Sequence, residues 1–543
     1  HLGTSVHPFG RRQVIKVGAK KGEFRLLRFE IVKPLTRFHP SAVKPKPFSH
    51  RMYAHLYKRF SLQRYTTMST LAVAAQTMDA ALANVQLKLQ EQQLDLFLVP
   101  SADAHGSEYV SKRDERRAFV TNFTGSAGLA AVVASPTELK TSCLFTDSRY
   151  KLQSKNQLSN SWTAYIAGDK NAPKLTEWLK KNYPTSKVGF DPRHASIATV
   201  QSWKSAFKNS TGIELIEVLD NPIDAVWEDF GRVPPSTAPI WSLPTELSGE
   251  AVSSKITALR KNMAEKKTRI AVVSALDDVA WLLNLRGSDI PYTPLFIAYC
   301  VVSESTVTLC VNQNQLSTEA TDALKEANVN VESYDNIVEV LRSMAATKAT
   351  TEAATKATTK TIDKTKTTVT SDSPTVNAST SSSSSSTTTL TPSTTVWLDP
   401  SSANWHLRST CQKLGYSIYS QVPLPIALSK AIKNQIEMKA IKKAHVIDGV
   451  ALCKYFHWLE ETMAQATAER EQDPGWNGEL TLDEVNVADQ LYKYRQETTS
   501  SFIGNSFSTI SSSGPNGAIV VCCLASAWPL FQVRTGCCFM GSH

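Results

Sequence analysis

At 543 residues, 42% of them hydrophobic and 20% charged, the chain is long enough for two to four domains with sizeable cores, and its composition is ordinary for a soluble globular protein. The net charge of +10 does not describe the whole: residues 1–67 hold fifteen Lys or Arg against Glu23 and Glu30, a net of +13, so the remainder sums to −3. That excludes a basic body of the kind that holds nucleic acid. A membrane span is also excluded, because the longest apolar run, Gly517 to Val533, falls short of the ~20 residues required and contains Pro529.

The basic arm, 1–67, is expected to be disordered. It can be read as a translated leader ahead of a natural start at Met68, as a mitochondrial targeting segment rich in Arg and poor in acids, or as a patch for RNA or an anionic membrane. The leader is the preferred reading, with targeting second, so neither nucleic acid nor membrane is assigned as a partner.

From Leu71 to Gln93 the residues are strong helix formers without Pro or Gly. Apolar runs with strand character follow at Leu94–Val99, Leu129–Ala134, Cys143–Thr146 and Lys187–Phe190, separated by loop signals such as Thr124-Gly125-Ser126-Ala127-Gly128 and Asp191-Pro192. Helix and strand alternate, which predicts an α/β domain over 68–225. The Pro-rich stretch Val233–Pro239 marks a linker. The pattern then restarts, with a helix Glu250–Lys267, a strand Arg269–Ala275, a helix Asp277–Leu285 and strands Leu295–Val302 and Val307–Val311. The repeated element order predicts a second α/β domain of related architecture over 240–425.

Residues 344–395 are low complexity, dominated by Thr, Ser, Ala and Lys. Such a segment cannot bury enough apolar surface to offset the entropy of ordering and reads as a surface insertion. The strand-like Val396-Trp397-Leu398-Asp399 resumes the second domain. A long helix is predicted from Ser429 to Ala466, with Ile436, Ala440, Ala444, Ile447, Ala451, Tyr455 and Leu459 on one apolar face. A second helix is predicted over Asp483–Arg495. Together they open a third domain over 426–520, followed by a tail of different character over 521–543. Of nine cysteines, Cys143, Cys300, Cys310, Cys411 and Cys453 are scattered as reduced, mostly buried thiols would be; Cys522-Cys523 and Cys537-Cys538 lack zinc-ligand spacing.

Residue types alone carry little chemistry. Asp103, His105 and Glu108 suggest a metal cluster, but no helix face aligns them, and a hydrogen-bonded loop is the better reading. Arg149, at the end of a strand in Phe145-Thr146-Asp147-Ser148-Arg149-Tyr150, could bind a carboxylate or carbonyl, or form a structural salt bridge to Asp147. Trp281–Gly287 reads as an amphipathic helix with a glycine stop, packed in the core. Gly514–Gly517 lacks the Lys-Ser/Thr of a phosphate loop.

Several segments, in order, carry a specific resemblance. Val99-Pro100-Ser101-Ala102-Asp103-Ala104-His105 with Ser107-Glu108-Tyr109, Arg116-Arg117-Ala118-Phe119, Gly125-Ser126-Ala127-Gly128, Thr146-Asp147-Ser148-Arg149-Tyr150, Trp281–Asp289 and Ser512–Ile519 resemble the eukaryotic cytosolic Xaa-Pro aminopeptidases, across about residues 70–520. The resemblance implies two creatinase-type α/β domains followed by a pita-bread metallopeptidase domain, here expected to be incomplete. It also implies a homodimer, a cytoplasmic location, two manganese ions, and peptides with a penultimate proline as substrates. In that family the ligands (two Asp, a His and two Glu) lie beyond the Gly-Pro-Asn-Gly-Ala-Ile segment. Here Val521 stands where the family has a substrate-contacting His, no Asp or Glu follows Glu497, and the only later His is His543. No catalytic residue and no metal ligand is therefore assigned, and the chain is expected to be inactive. Of the family's peptide-contacting residues only the Arg carries over, onto Arg149, with Ser148 in place of the usual Gly. The alternative from another class is a non-catalytic binding or regulatory partner that dimerises through its creatinase-type domains.

Overall fold

The computed structural model describes residues 79–137, 141–208, 212–345, 394–472, 482–507, 509–513, 516–517 and 539–541. The basic arm, the low-complexity core of 344–395 and the tail around Val521 lie outside the described residues.

Two six-stranded sheets organise the molecule. The first holds β1 (Leu96–Pro100), β2 (Leu129–Val133), β3 (Ser142–Asp147), β4 (Trp162–Ala167), β5 (Thr185–Phe190) and β6 (Gly212–Glu217), in the order β4-β3-β2-β1-β5-β6. After a two-residue strand β7 (Trp241–Ser242), the second sheet holds β8 (Ile270–Val273), β10 (Ala298–Ser303), β11 (Val307–Val311), β12 (Asn330–Ser333), β13 (Thr395–Leu398) and β14 (Ser417–Tyr419). Its order is β12-β11-β10-β8-β13-β14. Position by position the two sheets match in direction as well. β1 pairs antiparallel with β2 and parallel with β5, just as β8 pairs antiparallel with β10 and parallel with β13. The related architecture inferred from element order is thus the same topology used twice.

Strand alternation sorts the core into layers. In β1, Leu96 and Leu98 point to one face and Phe97 and Val99 to the other; in β8, Ile270 and Val272 oppose Ala271 and Val273. Leu96, Leu98, Ile270 and Val272 belong to one apolar core that runs through both sheets. The helices Leu175–Asn182, Ile197–Phe207 and Trp405–Lys413 and the helix 337–345 contribute to it. The outer faces are covered separately, by the helices 79–91 and Pro222–Asp229 on the first sheet and by Val252–Glu265 and Thr318–Glu326 on the second. Cys143, Cys300, Cys310 and Cys411 are buried free thiols, while Cys453 is exposed.

The seam between the sheets is built on two matching segments, Phe190-Asp191-Pro192-Arg193-His194-Ala195-Ser196 and Leu398-Asp399-Pro400-Ser401-Ser402-Ala403-Asn404. Ser196 and Asn404 form an antiparallel bridge, with Ile197 N donating to Ala403 O at 3.0 Å and Trp405 N to Ala195 O at 2.9 Å. Each bridging residue also caps the helix it begins: Ser196 Oγ accepts from Thr199 N at 3.2 Å and Asn404 Oδ1 from Leu407 N at 2.9 Å.

Two helical expectations are corrected. The helix predicted over Ser429–Ala466 is two helices, Ile426–Ala431 and Gln435–Gln472. They are separated at Asn434, whose Oδ1 accepts from Ile436 N and Glu437 N while Glu437 reaches back to Asn434 N; this capping box starts a new helix. Of its predicted apolar face, Ala451 and Tyr455 are buried, whereas Ile436, Ala440 and Ala444 are exposed. The helix predicted to run through Trp281 to Gly287 ends at Leu282. Asn284 turns the backbone at φ 50°, and Leu285–Arg286 forms β9, paired with β7.

Asn404 does more than Ser196, because its Nδ2 also donates to Ala104 O at 2.9 Å and Tyr299 Oη at 3.0 Å in a buried setting. Ser196→Ala should cost about 1 kcal/mol, a lost cap, whereas Asn404→Ala should cost about 2–4 kcal/mol. Urea unfolding of the two variants beside the parent chain measures both.

Candidate substrate-facing site

Arg149 sits on the short helical turn Ser148–Tyr150 that ends β3. Asp147 caps this turn, accepting from Arg149 N at 3.1 Å, and grips the guanidinium in a two-point pair: Nε to Oδ1 at 2.9 Å and Nη2 to Oδ2 at 2.7 Å. The salt bridge suggested by the residue types is therefore present. It leaves Nη1 without an acceptor among the described residues, on a side chain that is 52% exposed. The guanidinium lies 5.0 Å from the Tyr150 ring centre, and Tyr150 is itself fully buried with its hydroxyl 2.6 Å from Ser126 Oγ. The cation is thus held from two sides, by a carboxylate and by an immobile ring. The hydrogen bonds from Arg149 hold the Asp147 carboxyl below its ordinary range, and the same pair raises the guanidinium further above neutrality. Ser148, where the family's usual residue is Gly, has no positive φ, so the replacement brings no backbone strain.

A rim of aromatic side chains adjoins this turn. Glu108 is exposed and influences both Arg149 and Tyr109 electrostatically. Tyr109 meets Tyr292 edge-on at 5.3 Å and Phe507 at 6.3 Å, so three segments distant in sequence converge there. The sequence patterns did not bring out Tyr292 or Phe507. Tyr292 sits in a loop at φ 64°, and no local pattern announces such a position.

Asp103, His105 and Glu108 do not converge. Asp103 is buried and its Oδ1 accepts from His105 N and Ser107 N, both at 2.9 Å, which shapes the loop after β1. His105 turns into the seam, with Nδ1 2.8 Å from Ser274 O and Nε2 2.9 Å from Tyr334 Oη, and its ring lies 4.4 Å from that of Tyr299. This residue fastens the first domain to the second. At the far end, Asn516 Nδ2 lies 3.1 and 3.2 Å from the two Glu484 oxygens; Gly514, Pro515 and Val521 lie outside the described residues.

A metal centre needs converging donors. Among the described residues no group of three or more His, Cys, Asp or Glu is placed to hold an ion, and the sequence after Glu497 contains neither Asp nor Glu. The described residues do not fit a dinuclear site. Among the described residues, no helix is long and apolar enough to cross a membrane.

Paired sheets of this topology define a tandem of creatinase-type domains. Two family models, each described as a Creatinase/Prolidase N-terminal domain, match residues 82–221 and 231–381. A "Probable Xaa-Pro aminopeptidase P" of Neurospora crassa is 32% identical over 506 residues, covering 92% of this chain and 64% of that protein. One of the same description from Sordaria macrospora is 34% identical over 441 residues, covering 81% and 62%. In three dimensions the chain is similar to an X-prolyl aminopeptidase of Caenorhabditis elegans, described as a cytosolic enzyme with a di-nuclear active site; the TM-score is 0.64 at 25% identity, covering 80% of this chain and 62% of that one. The chain belongs to the aminopeptidase P family. It spans a little under two thirds of the length of these relatives.

Burial holds His105 below its ordinary pKa, against the opposing pull of Asp103. In the unfolded chain the same imidazole takes up a proton near its ordinary value of about 6.5, so stability should fall as pH drops below that point toward the depressed folded-state value. Urea midpoints between about pH 7 and about pH 5 should fall less steeply for His105→Gln than for the parent. Equal slopes would remove His105 from the account.

Proposed function

We propose that this protein recognises the N-terminal end of peptides with proline in second place, as Xaa-Pro aminopeptidases do, with Arg149 as a contact to a peptide carbonyl or carboxylate. One observation carries the assignment of Arg149. Its guanidinium is preset by Asp147 and Tyr150, yet it keeps an open nitrogen at the surface. Presetting lowers the entropy lost on binding, and a delocalised cation suits a planar carbonyl or carboxylate.

Hydrolysis is a separate matter. The catalysis that the resemblance implies uses two manganese ions, and the donor set for them is not found among these residues. We therefore assign peptide binding to the 543 residues by themselves and no hydrolytic step, in a cytoplasmic setting. A second reading makes the chain a regulatory partner that dimerises with a longer relative through its creatinase-type domains. It is favoured by the fact that both six-stranded sheets and the bridge joining them lie within the residues matched as Creatinase/Prolidase N-terminal domains or just beyond them.

Titration of the purified chain with the tripeptide Arg-Pro-Pro, followed by calorimetry, separates these elements. Arg149→Ala should weaken binding roughly tenfold to a hundredfold, and Arg149→Lys less. Unchanged affinity in Arg149→Ala would remove the assigned contact. With Mn²⁺ added, no arginine should be released; release above a mock preparation would overturn the non-hydrolytic part of the proposal.

A further inference from the structure

Away from the Arg149 rim, a cavity of about 180 Å³ lies between the helix Val252–Glu265, the turn leading into β9 and the start of the helix Gln435–Gln472. That is room for about six waters, so it suits a small molecule and not a polypeptide segment.

Its polar wall is cationic. Lys255 is only 3% exposed, and its ammonium donates to Trp281 O at 2.9 Å and Asn284 Oδ1 at 2.7 Å while lying 4.1 Å from the Trp281 ring centre. An ammonium has three N–H donors. The third has no acceptor among the described residues, and none of their carboxylates forms an ion pair with it. Burial pushes this lysine down to about 8, against the opposing pull of Glu250 and Glu437, so it stays mainly charged at neutral pH. Arg286 is in a similar position: Nη1 donates to Ala280 O and Leu285 O, and Nε and Nη2 have no acceptor among the described residues. Lys433, whose ammonium donates to Lys430 O, adds a third positive charge to the lining. The lining's one carboxylate, Glu437, accepts from Asn434 N at 2.9 Å as a helix cap and also acts electrostatically on Lys255 and Arg286. Apart from Ser248 and Asn284 the rest of the wall is apolar, including Leu247, Ile441 and the Trp281 side chain.

We propose that this cavity binds a small carboxylate with a short apolar tail, the carboxylate taking the free donors of Lys255 and Arg286 and the tail lying against Leu247 and Ile441. Such a ligand supplies acceptors for donors that have none among the described residues and ties the second domain to the long helix. The site is separate from Arg149 and does not rest on the aminopeptidase reading.

The test uses the full chain, with isovalerate as the probe and isovaleramide as its uncharged counterpart. Isovalerate should raise the melting temperature and slow the acetylation of Lys255 by acetic anhydride, read by mass spectrometry, because a bound anion favours the protonated ammonium. The amide should do neither. Lys255→Met and Lys433→Glu should each raise the half-effective isovalerate concentration roughly tenfold or more. Lys433 is exposed, so the second variant tests the site even where the first perturbs folding. No effect beyond that of chloride at matched ionic strength, an equal response to the amide, or an unchanged midpoint in Lys433→Glu would overturn the proposal.

Discussion

The antiparallel bridge between Ser196 and Asn404 is the contact on which the rest of the molecule depends. Each sheet alone would leave one apolar face uncovered. The bridge brings the two faces together over shared helices, and each helix starts at the residue that makes the bridge. Backbone pairing, helix capping and core closure are therefore satisfied at one place. The loop carrying Asp103 and His105 docks across the same seam, against Ser274, Tyr299 and Tyr334.

From that frame follows the position of Arg149. It stands at the end of an internal strand, on a turn whose shape is set by Asp147, above a tyrosine that cannot move. The pair is both a structural salt bridge and a presented cation. The two-point grip uses Nε and one terminal nitrogen, and the geometry of guanidinium leaves the other outward. Reading such a pair as merely structural overlooks the donor it does not use.

What could be read in advance follows physical lines. All eight internal strands were visible as apolar runs, because a strand with neighbours on both sides and a layer on each face must be apolar throughout. The four that gave no signal, β4, β6, β12 and β14, are the four sheet edges. Gly212–Glu217 has no buried residue, and Asn330–Ser333 and Ser417–Tyr419 have none either, so they lack the signature. The break before Gln435 was written in Asn434 and Glu437 as a capping box, but the apolar spacing on both sides masked it. Lys255 shares the buried stripe of Ile256, Leu259 and Met263, and a lysine there signals a buried charge only once the stripe's register is known. Residue type and position make Arg149 a candidate, and only the family's motif raises it above a structural salt bridge; its open nitrogen depends on side-chain geometry that no spacing encodes.

The seam has a bearing on how this architecture ages. Its principal links are main-chain N–H and C=O groups at Ala195, Ile197, Ala403 and Trp405, and every amino acid but proline carries both. Side chains around them can drift without removing the link. This chain and the Caenorhabditis elegans enzyme agree at only 25% of positions and are still similar in three dimensions, with a TM-score of 0.64. The same property explains how two halves of one chain, with little in common beyond a short Asp-Pro turn and an alanine, keep one topology between them.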